Sequence, residues 1–340
     1  MMERPAHSGL AQNHAGTDDP DPVRGDEGLG SVDMTRLSGN GSGIPTVPDV
    51  MARSSVTFRT VTRESRRHSA APPDGGAVWH RQGVLGEVTA LLIDLDGVLY
   101  VEDAPIEGAL AAVERLRADG FALRFVTNTT AHARDETLAK LTRLGFAVEQ
   151  RELITPAALA LRYCRSRGHR CVGLVMNQEV KRDFAELEET AGKADAVIVG
   201  DLGSAFGYDV LNRAFRQLMD GAELVALQKN RYWLRADGLS LDVGPFVAAL
   251  EYATGQEAYV VGKPARGFFA QVLMDLGVEA SVAVMIGDDI ESDIGGALEA
   301  GLRAVLVRTG KFREERVNAS GIQPTAVVDS IGDLPGLLTG

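Results

Sequence analysis

The chain has 340 residues, and at about 150 residues per domain that length suggests two folded units. With 45% hydrophobic and 24% charged residues, the composition is that of a globular protein able to bury its own core. The 35 basic and 47 acidic residues leave a net charge of −12, which disfavours nucleic acid as a partner, and no apolar run is long enough for a membrane helix.

Residues 1–86 carry Gly, Ser, Pro, Asp and His clusters, as in SGNGSGIPTVPD, with no strand-like or helix-like apolar period. Such a segment cannot offset its ordering entropy, so a disordered tail is expected. No apolar stretch of the kind a secretory leader needs follows Met1. Cys164 and Cys171 have neither metal nor disulfide spacing and are expected as reduced thiols, which places the protein in the cytoplasm.

From residue 88 the texture changes. The run 88–94 (VTALLID) is apolar and ends in an acid, which predicts a buried parallel strand. Residues 107–119 follow with Leu110, Val113 and Leu116 at helical spacing, then a strand over 123–126 and a helix over 133–144 stopped at Gly145. After a long interval come a strand at 259–262, a helix at 268–276 closed by Gly277 and a strand at 282–286. A helix at 294–300 closed by Gly301 and a strand at 304–307 complete the series. This alternation predicts an α/β fold with a doubly wound parallel-sheet core built from residues 87–154 and 256–340. The interval has an alternation of its own, with strands at 172–176, 196–199 and 224–227 and helices at 210–219 and 245–253. Residues 155–255 are therefore expected to form an inserted α/β cap domain, with Phe246, Leu250 and Tyr252 in its core.

Ligands of such sheets bind beyond the carboxyl ends of the strands. Four of those ends are polar: Asp94-Leu95-Asp96-Gly97, Thr127-Asn128-Thr129, Gly262-Lys263-Pro264, and Gly287-Asp288-Asp289 with Asp293 beyond. Each alone has a bland explanation as a turn, a cap or a surface charge. Together they bring Asp94 and Asp288 to one edge, with Asp289 as a further candidate, and carboxylates so placed repel unless a cation sits among them. An all-oxygen site of this kind suits Mg²⁺. Lys263 adds positive charge, and Thr127 and Asn128 add donors, so the edge reads as an anion site equipped for phosphoryl transfer. Asp94 is assigned attack on phosphorus, and Asp96 proton transfer to the leaving group and from water.

The segments ALLIDLDGVLY, FVTNTT, VVGKP and VMIGDDIESDIGGA resemble the motif set of the haloacid dehalogenase-like phosphatases, in the subgroup whose cap lies between the second and third motifs. The stretch RADGLSLDVGPFVAALEYATG, with ALQKNRYWL before it, is similar to the phospholysine/phosphohistidine/inorganic-pyrophosphate phosphatase branch and its hydrolase relatives. The resemblance implies that Asp94 is nucleophile and metal ligand, and that Asp96 is general acid/base and binds metal through its carbonyl. It implies a phosphate-binding hydroxyl on Thr127 with Asn128 beside it, and a charge-balancing role for Lys263. Asp288 would be a metal ligand, and Asp289 and Asp293 metal-shell acids. The acid pair and the Mg²⁺ favour phosphate hydrolysis over dehalogenation. The implied substrate is a small phosphorylated molecule of phospholysine, phosphohistidine or pyrophosphate type, with sugar phosphates and nucleotide monophosphates as the alternative. A module of another class, one that signals through a phosphorylated aspartate, would also place acids and a lysine at strand ends. Lys229, Asn230, Arg231 and Tyr232, just after a predicted strand of the cap, are candidates for leaving-group contacts. A homodimer is a candidate assembly, because the inserted unit offers a second surface.

Overall fold

The computed structural model describes residues 85–235 and 238–339, so the expected tail at 1–86 lies outside the described residues except for its last two positions. Leu85 is buried in an apolar cluster of the core, which carries ordered packing two residues further forward than the sequence suggested.

The chain begins with β1 (Ala90–Asp94), a short hairpin of β2 (Tyr100–Val101) and β3 (Ala104–Pro105), α1 (Ala109–Ala118), β4 (Ala122–Val126), α2 (Arg134–Arg143) and β5 (Leu153–Ile154). Next come α3 (Pro156–Arg167), β6 (Cys171–Val175), α4 (Gln178–Lys181), β7 (Glu188–Glu189), β8 (Ala196–Val199), α5 (Tyr208–Met219) and β9 (Glu223–Ala226). A hairpin of β10 (Tyr232–Arg235) and β11 (Gly238–Leu241) precedes α6 (Val243–Thr254) and β12 (Tyr259–Val260). The chain then forms α7 (Arg266–Leu276), β13 (Ala283–Gly287), α8 (Gly296–Glu299), β14 (Arg303–Val307), α9 (Glu314–Ser320), β15 (Ala326–Val328) and α10 (Leu334–Thr339).

Six strands pair in the order β15-β14-β13-β1-β4-β5, every pair parallel. The chain runs from β1 outward through β4 and β5, then returns to the other side of β1 as β13. That reversal creates a crevice at the carboxyl end of β1. Ile93 lies level with Phe125 and Ile286, so the residues after all three strands emerge along one edge. A second parallel sheet has the order β12-β9-β8-β6-β7. The α/β architecture with a parallel-sheet core and a second α/β layer is the one the sequence indicated.

Two expectations need correction. The strand at 259–262 is not a core strand: Tyr259 and Val260 pair with Val225 and Ala226 of β9, so the second sheet extends beyond the expected limit at residue 255. The segment 294–300 is not one α-helix either. A wider π-helical turn, Ile290–Gly295, comes first, and α8 is a single short stretch after it. Of the three residues expected in the cap core, Leu250 is buried and Phe246 stacks on Phe206 at 3.8 Å, whereas Tyr252 is 94% exposed. Phe246 and Leu250 are one helical turn apart on α6, and Tyr252 falls on the other side.

Each sheet has an apolar cluster of its own, and a third cluster is shared between them. Alternate residues of β1 point to opposite faces: Leu91 and Ile93 pack toward α1 and α10, while Ala90 and Leu92 join an apolar cluster on the other side. That cluster runs through Leu159 and Cys164 of α3 and Phe268, Phe269 and Val272 of α7 into Val172, Ile198 and Val225 of the second sheet. Asp275 of α7 ties the layers electrostatically, accepting from Arg124 of β4 at 2.8 Å and pairing with Arg162 of α3 at 3.0 Å. Phe268 is fully buried at this junction. Phe268→Ala is expected to destabilise the protein by about 3–5 kcal/mol in urea denaturation, the usual cost of emptying a well-packed aromatic site. A loss below about 1 kcal/mol would show that the junction collapses freely.

Candidate active site

The edge above β1 is built by turns that bring acids inward. Asp94 is the last residue of β1, and the chain reverses at once: Leu99 N–H donates to Leu95 O at 2.8 Å and Gly97 N–H to Tyr100 O at 2.7 Å. Asp288 follows β13 directly. Asp289 then caps the π-helical turn, its Oδ1 accepting from Glu291 N–H and Ser292 N–H at 3.1 Å each. The wide turn lays Asp293 back over Gly287, where an added Cβ would lie 2.3 Å from the Asp293 Cβ. Only glycine leaves that space.

Oxygens of Asp94, Asp288 and Asp293 lie within 4.8 Å of one another, and all three side chains are buried. Lys263, 2% exposed, places its Nζ 2.5 Å from Asp94 Oδ1 and 2.7 Å from Asp293 Oδ1. Two carboxylates thus meet one ammonium out of water, and the third, Asp288, lies beside them. Burial, and then the charges of Asp94 and Asp293, push the Asp288 carboxyl up to about 8. Burial also raises Asp293, to about 6; Lys263 pulls the other way and Asp94 adds to the rise. Burial alone would lower Lys263, but the carboxylates of Asp293 and Asp94 outweigh it and its pKa is raised. Asp288 Oδ2 accepts the backbone N–H of Lys311 at 2.7 Å, while its Oδ1 is buried without a hydrogen bond. An orphaned carboxylate oxygen beside two further acids is a donor set for a hard cation, so the residues fit Mg²⁺.

The other expected residues divide. Asp96 is half-buried, and its Oδ2 lies 3.4 Å from Thr129 Oγ1, outside the cluster of three but on the same turn as Asp94. Thr127 is buried and its Oγ1 accepts from Thr129 N–H at 2.9 Å, which leaves its own O–H free to donate. Asn128 has a task beyond the one expected: its Oδ1 accepts from Lys263 N–H and its Nδ2 donates to Lys263 O, both at 2.8 Å, so its carboxamide braces the lysine backbone. Asp289 is not in the acid cluster; its Oδ1 caps the π-helical turn, and its Oδ2 lies 3.8 Å from Lys311 Nζ. Burial would raise its carboxyl, but Lys311 and the capped N–H groups prevail and lower it.

In the second sheet, Lys229 is held by Glu251 at 2.6 Å, so its charge is already paired. Asn230 is fixed by its backbone, donating to Gln228 Oε1 at 2.5 Å and accepting from Gly244 N–H at 2.9 Å. Arg231 and Tyr232 are exposed. The loop nevertheless starts beside the site: a Cβ on Gly262 would lie 2.5 Å from Leu227 O, 3.3 Å from Gln228 Cβ and 2.9 Å from Asn128 Oδ1. Sequence reasoning missed Lys311 and Tyr100. Lys311 closes a polar strand end, Thr309-Gly310-Lys311 after β14, of the same kind as the four that were noticed. The Tyr100 hydroxyl is raised by burial and by Asp96 and Asp94.

Comparison with known proteins agrees with this geometry. Residues 91–189 match the haloacid dehalogenase-like hydrolase family and residues 260–334 a second family described as HAD-hydrolase-like. The bovine haloacid dehalogenase-like hydrolase domain-containing protein 2 is 43% identical over 232 residues, 67% of this chain and 88% of its own. The human phospholysine phosphohistidine inorganic pyrophosphate phosphatase is 39% identical over 268 residues, 77% of this chain and 97% of its own. The chain belongs to the haloacid dehalogenase-like hydrolases. It falls among the phosphatases of that family, which sets aside the reading as a phosphorylated signalling module. The solved glycerol phosphate phosphatase from Mycobacterium tuberculosis, in complex with magnesium, superposes with a TM-score of 0.66 at 28% identity, covering 76% of this chain and 81% of that one.

Two outcomes follow from the site. Asp288 and Asp293 keep their protons to higher pH in the folded chain than in the unfolded one, where carboxyls titrate near ~4. The metal-free fold therefore loses stability as pH rises from about 4 to about 8, and a bound cation, which displaces those protons, restores it most at the upper end. Melting curves in chelator and in Mg²⁺ across that range test the sign; a metal-free protein that grows more stable toward pH 8 refutes it. Asn128→Asp keeps the acceptor for Lys263 N–H and loses the donor to its carbonyl. One lost hydrogen bond of about 1.4 kcal/mol predicts a roughly tenfold fall in kcat with little change in KM. A rise in KM at unchanged kcat would put Asn128 on the substrate.

Proposed function

We propose that the protein is an Mg²⁺-dependent phosphohydrolase that works through an aspartyl-phosphate on small phosphorylated molecules, phospholysine or phosphohistidine groups and pyrophosphate foremost. The observation that carries this reading is the buried cluster of Asp94, Asp288 and Asp293, with Lys263 on two of them and an unpartnered Asp288 oxygen inside it. Asp94 and Asp288, with the Asp96 carbonyl, would hold the ion, and Asp293 stands next to them. When bound, Mg²⁺ supplies the positive charge that lets an anionic carboxylate approach an anionic phosphoryl group.

Asp94 attacks phosphorus with the oxygen that Lys263 orients, and the bond to the leaving group breaks as the Asp94–phosphorus bond forms. Lys263 stabilises charge on both the nucleophile and the transferred group. The Thr127 hydroxyl donates to a phosphoryl oxygen. Asp96, less buried than the cluster and two residues after Asp94 on the same turn, protonates the departing group and then takes a proton from the water that hydrolyses the intermediate. The resemblance to the human phospholysine phosphohistidine inorganic pyrophosphate phosphatase supports N–P and P–O–P substrates. The likeness to a glycerol phosphate phosphatase supports a phosphomonoester as the second reading.

A phosphate-release screen across N–P, P–O–P and C–O–P compounds with Mg²⁺ separates the two. Fastest turnover of a sugar phosphate or nucleotide monophosphate would replace the first substrate class with the second. On any substrate that is turned over, Asp94→Asn is expected to cut kcat by more than about 10⁴ with the fold intact by circular dichroism. Asp96→Asn is expected to cut it by about 10²–10⁴ and to leave phosphoenzyme detectable after acid quench. Substantial turnover by Asp94→Asn removes it as nucleophile.

A further inference from the structure

Thr309, Gly310 and Lys311 leave the end of β14 and fold across the neighbouring carboxylate of Asp288. The Lys311 backbone N–H donates to Asp288 Oδ2 at 2.7 Å. The Thr309 hydroxyl donates to the carbonyl of Gly97, on the turn that carries Asp94 and Asp96. Gly310 and Gly97 face each other across Asp288 Oδ2, both with left-handed backbones (φ 58° and 82°). A Cβ on Gly310 would lie 2.1 Å from Oδ2 and 2.5 Å from the Gly97 Cα; one on Gly97 would lie 2.0 Å from Oδ2 and 2.9 Å from the Gly310 Cα. No side chain fits on either wall.

One oxygen of Asp288 is thereby locked between two glycines and a backbone donor. The other is buried, with no hydrogen bond, on a residue whose neighbours are Asp94 and Asp293. A carboxylate pinned by one oxygen cannot rotate to relieve that orphan by itself, so the orphan is the atom it offers to a cation. The Thr309 bond meanwhile fastens the nucleophile turn to the same segment, which fixes the spacing between the Asp94 side and the Asp288 side of the cluster.

We propose that residues 309–311 are a positioning element of the cation site: the segment aims Asp288 and sets its distance from the Asp94 turn, without touching substrate. This rests on the metal-binding part of the proposed function and extends it to residues that are not ligands. Groups that orient ligands in this way are worth about 10–100-fold in metal affinity.

The test is calorimetric titration of Mg²⁺ into the full-length, metal-free chain with no phosphate compound present, beside melting curves in chelator. Thr309→Val is expected to weaken Mg²⁺ binding about tenfold, and Thr309→Ser, which restores the hydroxyl, to bind within about twofold of wild type, with melting temperatures in chelator close to wild type for both. Lys311→Ala keeps the backbone N–H and is expected to bind Mg²⁺ at least as tightly as wild type. Gly310→Ala is expected to lose more than Thr309→Val; should it fail to fold, the threonine pair still decides. Wild-type affinity in Thr309→Val, or a loss that serine does not recover, overturns the proposal. A loss of tenfold or more in Lys311→Ala overturns the backbone assignment. If the wild-type chain itself takes up no Mg²⁺, the metal reading fails along with it, an outcome distinct from unequal binding among variants.

Discussion

Three buried carboxylates crowd the carboxyl end of β1, two of them on the Lys263 ammonium and the third under the charge of Lys311, and the architecture around them is arranged to hold that crowding. Coulomb repulsion between such groups grows as water is excluded, so a fold that places them together must fix every member or see one of them swing out. The fixing is done by elements that carry no charge. Gly287 admits Asp293, the pair Gly97 and Gly310 encloses Asp288, and Asn128 grips both backbone groups of Lys263. The remaining negative charge is what makes the site a receptor for a cation and, through it, for an anionic group.

The position of the second sheet follows from the same economy of space. Its apolar inner face is continuous with the outer face of the core sheet through α3 and α7, so the layer that faces the site is not a loosely tethered lid but part of one cluster. The end of β9 is pressed against Gly262, the residue before Lys263, and Asn128 touches the same glycine. A change at the start of the 227–231 loop is therefore felt by the backbone that carries the lysine.

Much of this was legible in the sequence, and the reasons are local. Buried parallel strands such as β1, β8 and β13 are unbroken apolar runs, and the polar residues that end them stand out; that contrast located Asp94, Thr127, Lys263 and Asp288. What was not legible depended on distant partners. Tyr259 and Val260 look like any buried parallel pair, and nothing in two residues says that they bond to β9 and not to a core strand. The two-residue strands β5 and β7 have no period to read. Asn128 was expected on phosphate because an amide at a strand end is a donor; its grip on backbone atoms 135 positions away is invisible to any residue pattern. Asp293 was placed in the metal shell by resemblance alone; the π-helical turn that brings it into the acid cluster has no signature in the residue pattern.

On the proposed reading, the core and the second sheet divide the substrate between them. Asp94, Thr127 and Lys263 address only the phosphoryl group, which is common to every candidate substrate, so they cannot distinguish an N–P bond from a C–O–P bond. Discrimination must come from groups near the departing half. Lys229 is a weak candidate for that task in the arrangement seen, since Glu251 already neutralises it; the exposed Arg231, whose backbone is pinned through Asp242, retains an unpaired guanidinium among the described residues. A leaving group that is itself anionic, as in pyrophosphate, gains from such a cation, whereas a neutral alcohol gains little. Selection by charge on the second sheet and chemistry by charge in the core then meet near Gly262, which packs against both Leu227 and Asn128.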